Sequence, residues 1–306
     1  MIVNNLLPVF VLIAAGYVLK RADLINASFT HVSDGLIYYL FFPLLLFWKI
    51  GGSSADGMLQ WPLYKAVIFT VLSIYAISIA VLKIFAISRF KSGAFSQSCY
   101  RFNTYVGMAL ILNVTGEEGV RQFGILISLT IPVINVLAVS TLIWFSDDPQ
   151  GRGPVFRTTF TALISNPLII ACLAGMITSK IISGFPVVVD NLLRLATSLT
   201  LPLALLSIGS AITFRTVREN LYASFLSVIL KCMITPLIGF ALLRYFSVTG
   251  TAFIIGMIFF ALPTSSAIYV LSAQLGSDRR YAASAIMVST VFSFISLSIV
   301  LELFVK

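Results

Sequence analysis

The feature that most constrains this chain is a succession of apolar stretches long enough to cross a lipid bilayer. A helix needs about 20 mainly apolar residues to span the hydrocarbon core. Ten such stretches can be placed, at 3–19, 33–50, 62–87, 99–115, 122–145, 160–179, 192–213, 221–245, 252–275 and 282–304. The connections are short and rich in turn formers, as at Gly51-Gly52-Ser53-Ser54, Gly116-Glu117-Glu118-Gly119, Asp147-Asp148-Pro149 and Gly276-Ser277-Asp278. Only 10% of the residues are charged, against about 25% in soluble domains. With a mean hydropathy of +1.02, most of the surface must face lipid. The expected fold is an all-α, polytopic membrane protein.

The net charge of +9 does not indicate nucleic acid, because Lys and Arg are scattered in ones and twos between apolar runs. Their distribution instead reports topology. No Lys or Arg precedes the first apolar run, whereas Lys20 and Arg21 follow it. That order predicts a retained helix with its N-terminus outside, rather than a cleaved signal peptide. Twelve basic residues then fall at cytoplasmic ends (Arg101 among them), five at outer ends, and Lys65, Arg194 and Lys231 within spans or near their ends. The bias follows the positive-inside rule and puts both termini outside the cytoplasm. The three cysteines are far apart and His31 is the only histidine, so no metal site or cofactor is expected.

The ten stretches divide into five-span halves, 1–148 and 149–306. Pro8 and Pro43 are 35 residues apart, as are Pro167 and Pro202, and both pairs share an offset of 159 with Gly16 and Gly175. Asn5 and Asn166 stand shortly before the first proline of each half. Because five is odd, a second half of the same pattern must insert upside-down. Inverted repeats are the architecture of secondary transporters, with a midplane site between the halves.

The fourth and ninth stretches are corresponding members of the two halves, and both look interrupted. In the fourth, Asn103, Thr104 and Gly107 precede a purely apolar run; in the ninth, Pro263-Thr264-Ser265-Ser266 divides two apolar segments. Pro263 lacks an N–H and clashes with the preceding turn, and the hydroxyl residues after it can cap a new half-helix. A break at membrane depth is tolerated only where protein or a water-filled cavity satisfies the backbone. The half-helix N-terminus would then present N–H groups and partial positive charge to an anion. A plain proline kink, closed by neighbouring helices, is the alternative. The fourth stretch runs inside to outside and the ninth outside to inside, so their breaks can meet at the centre.

These residues also carry a family resemblance. Gly16-Tyr17-Val18-Leu19-Lys20-Arg21, Tyr38-Tyr39-Leu40-Phe41-Phe42-Pro43, Phe102-Asn103-Thr104-Tyr105-Val106-Gly107, Gly116-Glu117-Glu118-Gly119, Ser165-Asn166-Pro167-Leu168, the run from Leu201-Pro202 to Gly209, and Leu262-Pro263-Thr264-Ser265-Ser266 together resemble the auxin efflux carrier family of bacterial permeases. That family belongs to the bile/arsenite/riboflavin transporter superfamily. The resemblance implies interleaved scaffold and transport subdomains, crossed helices four and nine at the site, and a bacterial cytoplasmic membrane location. It makes Asn103 the counterpart of asparagines that bind a substrate carboxylate in plant relatives. Where plant members and some bacterial ones have a proline shortly after the Asn-Thr stretch, this chain has Gly107-Met108-Ala109.

The expected function is secondary transport of a small organic anion, a carboxylate or dicarboxylate. A sodium-coupled bile-acid-type symporter and a channel are the alternatives, and no enzyme motif such as HExxH or GxSxG is present. The candidate binding residues are Asn103, Thr104, Gly107, Pro263, Thr264, Ser265, Ser266, Asn166 and Asn5. Pro43, Pro202 and Gly209 are candidate hinge or packing positions. Lys231 is either a charge-balancing group or one that snorkels to a headgroup. The expected partners are the anion and membrane lipid, with a homodimer compatible and the coupling ion open.

Overall fold

A computed structural model describes residues 2–52, 60–145, 165–182, 184–211 and 217–305, all helix and connecting turns. The half boundary at 148/149, the first residues of the sixth stretch, and Arg152, Arg157 and Arg215 lie outside the described residues.

Helix α1 covers Ile2–Arg21. The second stretch is α2 (Ala27–Leu36), a π-helical turn at Ile37–Phe41 and α3 (Phe42–Gly51). Then come α4 (Trp61–Ile84), α5 (Arg89–Tyr100) and α6 (Thr104–Trp144). Helix α6 is two arms joined at Gly116, whose φ of 66° and ψ of −158° are not helical and suit a residue without Cβ. The remainder is α7 (Pro167–Ile181), α8 (Val187–Thr197), α9 (Thr200–Ser210), α10 (Val217–Ile229), a π turn at Leu230–Ile234, α11 (Thr235–Tyr245), α12 (Gly250–Ala261), α13 (Ala267–Gln274) and α14 (Arg279–Phe304). Among the described residues, six helical stretches are long and apolar enough to cross a membrane, and Pro167–Ile181 and Gly250–Ala261 are shorter apolar helices.

Proline dictates local irregularity. Its ring cannot coexist with the carbonyl four residues back. The π turn before Pro43 shifts the ladder by one residue, so that Phe42 N–H reaches Ile37 O. The same device precedes Pro236, where Thr235 N–H reaches Leu230 O. Ahead of Pro202 the regular ladder gives way to a turn at 198–199, between α8 and α9, with Ser198 and Leu199 still in the right-handed helical region.

One boundary departs from expectation. The fourth stretch starts at Arg89 rather than 99, because α5 reads as polar (Ser92, Ser96, Gln97, Ser98) yet is buried from 92 to 100. Its hydroxyls are satisfied locally and across helices: Ser98 Oγ donates to Phe95 O at 2.7 Å and lies 3.1 Å from Tyr281 Oη. Ser78 and Ser96 hydroxyls meet at 2.8 Å. Hydropathy alone cannot distinguish such a half-helix from a cytoplasmic loop.

The most extensive helix contacts are α3 on α7 and α1 on α9. Glycine makes both possible. A Cβ on Gly16 would sit 2.0 Å from Leu206 O, and one on Gly209 would sit 1.8 Å from Ile13 O. A Cβ on Gly175 would come within 3.0 Å of Ile50 Cβ. Lipid offers no hydrophobic drive for helix association, so small residues that admit close backbone approach take that role. The other helices form a second group, in which α10 packs on α14 and α4 on both α5 and α11. Val188, Ile181 and Leu195 are 75–79% exposed, as lipid-facing side chains are.

Gly209→Ala must push α1 and α9 apart, since the obstruction is backbone. The expected cost is about 1–3 kcal/mol, read as a lower unfolding midpoint in detergent. A midpoint equal to the parent's would contradict this packing.

Candidate functional site

The two interruptions meet. After Tyr100 the chain runs extended through Arg101 (φ −70°, ψ 146°) to Asn103 (φ −84°, ψ 105°). In the other half, Leu262 (φ −60°, ψ 147°) ends α12, and α13 resumes at Ala267. An extended conformation is what a residue before proline prefers. Asn103 N–H donates to Pro263 O at 2.9 Å, which joins the two breaks through their backbones.

The surrounding side chains close most of the groups that the breaks expose. Asn103 Oδ1 accepts from Tyr105 N–H at 3.1 Å and Val106 N–H at 3.2 Å, capping α6. Thr264 does not cap its own half-helix. Its hydroxyl crosses to the other half and donates to Ser98 O at 2.6 Å, at the C-terminus of α5. Thr264 N–H in turn donates to Ser289 Oγ of α14 at 3.1 Å. Capping of α13 falls to Ser265, whose Oγ accepts from Ala267 N–H at 3.3 Å; Ser266 holds the cap position without a side-chain bond. Gly107 lets Phe123 and Leu262 close on the junction, since a Cβ there would be 2.6 Å from Phe123 Cζ and 2.7 Å from Leu262 Cδ1. Thr104, the first residue of α6, is half-buried.

Two buried cations flank the breaks. Lys231, in the π turn at Leu230–Ile234, is 1% exposed. Its ammonium donates to Phe260 O at 3.4 Å, near the C-terminus of α12, instead of extending to the surface. Arg101 is also buried, at 8% exposed. Its guanidinium donates to Asn135 Oδ1 at 3.1 Å and Gln97 Oε1 at 3.4 Å. Among the described residues neither cation pairs with a carboxylate, and the buried acid is Asp278, which caps α14.

A cavity of about 470 Å³ lies between the helix groups, lined among others by Pro8, Leu12, Leu45, Asn113, Pro202 and Leu205. It reaches Ala109, six residues or about 9 Å along α6 from Asn103. At its mouth Lys49 pairs with Glu117 and stacks over Trp48 at 3.5 Å.

A family model described as membrane transport protein matches residues 1–153 and 154–301. The chain belongs to this family, that of the auxin efflux carriers. It is also 21% identical over 302 residues, 96% of each chain, to an uncharacterized transporter of Methanocaldococcus jannaschii. The protein is thus an integral membrane protein of a transporter family.

In this transporter the other expected site residues lie apart from the junction. Asn166 caps α7, its Oδ1 accepting from Leu168 N–H at 2.9 Å. Asn5 offers its backbone oxygen to Asn113 Nδ2 at 3.2 Å, beside the cavity. Pro202 lines that cavity, and Gly209 lies in the α1–α9 contact. The π turn before Pro43 is adjacent to the first break, for Phe42 packs edge-on against Tyr105 at 5.0 Å. Sequence reasoning missed Gln97, Asn135 and Ser289; their only signal is a polar residue at an apolar depth.

Thr264→Val keeps the shape but removes the hydroxyl that satisfies Ser98 O. Leaving a buried carbonyl unpaired costs about 1–3 kcal/mol, expected as a lower unfolding midpoint. An unchanged midpoint would mean that this bond does not hold the breaks together.

Proposed function

We propose that the protein is a secondary transporter of a small organic anion, a carboxylate or dicarboxylate, working by alternating access. The observation that carries this reading is the electrostatic sign of the junction. Two basic side chains are buried beside it and α6 and α13 begin there with their positive ends, while Asp34, the acid within electrostatic reach of Tyr105, is exposed and accepts from the Ser207 hydroxyl. Asn103 Nδ2 is buried with no partner. An unpaired buried donor is costly, and an anion arriving at the junction would relieve it.

The proposed architecture is ten spans in two inverted five-helix repeats with crossed broken helices. It is supported by the order of elements in each half and by the exchange in packing: the first span on the seventh, the sixth on the second. Spans one, two, six and seven would form the scaffold, and the helices around the breaks the moving part. The proposed location is a bacterial cytoplasmic membrane with both termini outside. A reporter active only in the periplasm should then be bright at the C-terminus, and one active only in the cytoplasm dark. The reverse pattern would remove the ten-span count.

The functional test is counterflow in proteoliposomes preloaded with single mono- or dicarboxylates, since a carrier shows saturable exchange and a channel does not. Asn103→Asp keeps an oxygen to cap α6 but replaces the free donor with negative charge. The variant should fold as the parent does and lose exchange, with apparent affinity weakened about tenfold or more. Parent-like exchange by Asn103→Asp would take Asn103 out of the site.

A further inference from the structure

Arg101 and Asn103 stand two apart on the extended segment between α5 and α6, and both side chains are buried there. Phe102 between them seats in the apolar core, 4.3 Å from the Phe259 ring and 6.5 Å from that of Phe123. Arg101 and Asn103 are the two polar side chains buried on either side of it. Tyr38 of the π turn in the second span lies within electrostatic reach of the guanidinium, so Arg101 stands near the boundary between the two helix groups.

The guanidinium is held but not neutralised. Two amide oxygens, Gln97 Oε1 and Asn135 Oδ1, fix its terminal nitrogens, while Nε is buried without a partner. Asn103 is in the same condition: its oxygen is committed to capping α6 and its Nδ2 is free. A buried cation paired only with neutral acceptors leaves much of its desolvation cost uncompensated. Arginine's planar fork is the group best shaped to take a carboxylate. Lys231 differs, since its ammonium already faces the carbonyl end of α12.

We propose that Arg101 is the charge partner of the transported anion, its Nε–H and the Asn103 Nδ2–H receiving one carboxylate group between them. The proposal rests on the organic-anion reading and adds the residue that supplies the charge. Gln97 and Asn135 are positioning residues that hold the fork. A neutral amide of the same shape should not bind, because it brings no charge to the guanidinium.

The test is thermal unfolding of the purified full chain in detergent, titrated with succinate, butyrate and, as the uncharged control, succinamide. At least one acid should raise the parent's midpoint and succinamide should not. Without ligand, Arg101→Gln should be at least as thermostable as the parent, because an uncompensated buried charge is gone, yet need at least about tenfold more acid for the same shift. Arg101→Lys keeps the charge without the fork and should fall between the two. If Arg101→Gln responds at the parent's concentrations, Arg101 is not the partner, although the anion reading stands. If Arg101→Gln is less stable and Arg101→Lys restores both stability and acid response in full, Arg101 merely supports the end of α5 and the proposal fails. If the parent answers to neither acid, the anion reading falls and this assignment with it.

Discussion

A broken helix inside an apolar medium must find partners for the backbone groups it frees, because lipid offers none. Here each break is satisfied in part by its own capping residues and in part by the other half of the chain. Asn103 N–H reaches Pro263 O, and the Thr264 hydroxyl reaches the carbonyl end of α5. Neither interruption is closed without its counterpart, so the two halves are tied at their least regular points.

The packing around the junction follows from the same medium. With no hydrophobic drive between helices in lipid, association depends on close contact and polar links. Gly16 and Gly209 bring α1 against α9, and Gly175 admits Ile50 of α3. Around the breaks, serine takes over, with the Ser78–Ser96, Ser98–Tyr281 and Ser224–Ser284 contacts tying α4, α5, α10 and α14 together. The 470 Å³ cavity lies between α1, α3, α8 and α9 on one side and the first arm of α6 on the other.

Electrostatics gives the junction its polarity. A carboxylate substrate would be repelled by a buried acid, and among the described residues the buried acid, Asp278, is engaged in capping α14. Arg101 and Lys231 hold buried positive charge against neutral oxygens. The two use their donors unevenly: Arg101 Nε is free, whereas the Lys231 ammonium is directed at a helix terminus.

The sequence alone determined that this is an all-helical membrane protein, since runs of about 20 apolar residues admit no other fold in lipid. It also located both interruptions, because Pro263 lacks an N–H and Asn103 is a strong cap. What it could not determine is which polar residues are buried. Ser92 to Ser98 read as loop because burial depends on neighbours, and Arg101 read as a topology marker because a charge near an apolar run is ordinarily solvated. The partner of Thr264 was equally hidden: local rules assign its hydroxyl to the helix that follows it, whereas the fold brings Ser98 O from 166 residues away within 2.6 Å. Those assignments belong to tertiary structure, because hydrogen bonds between segments distant in sequence are set by how the helices dock and not by any local pattern.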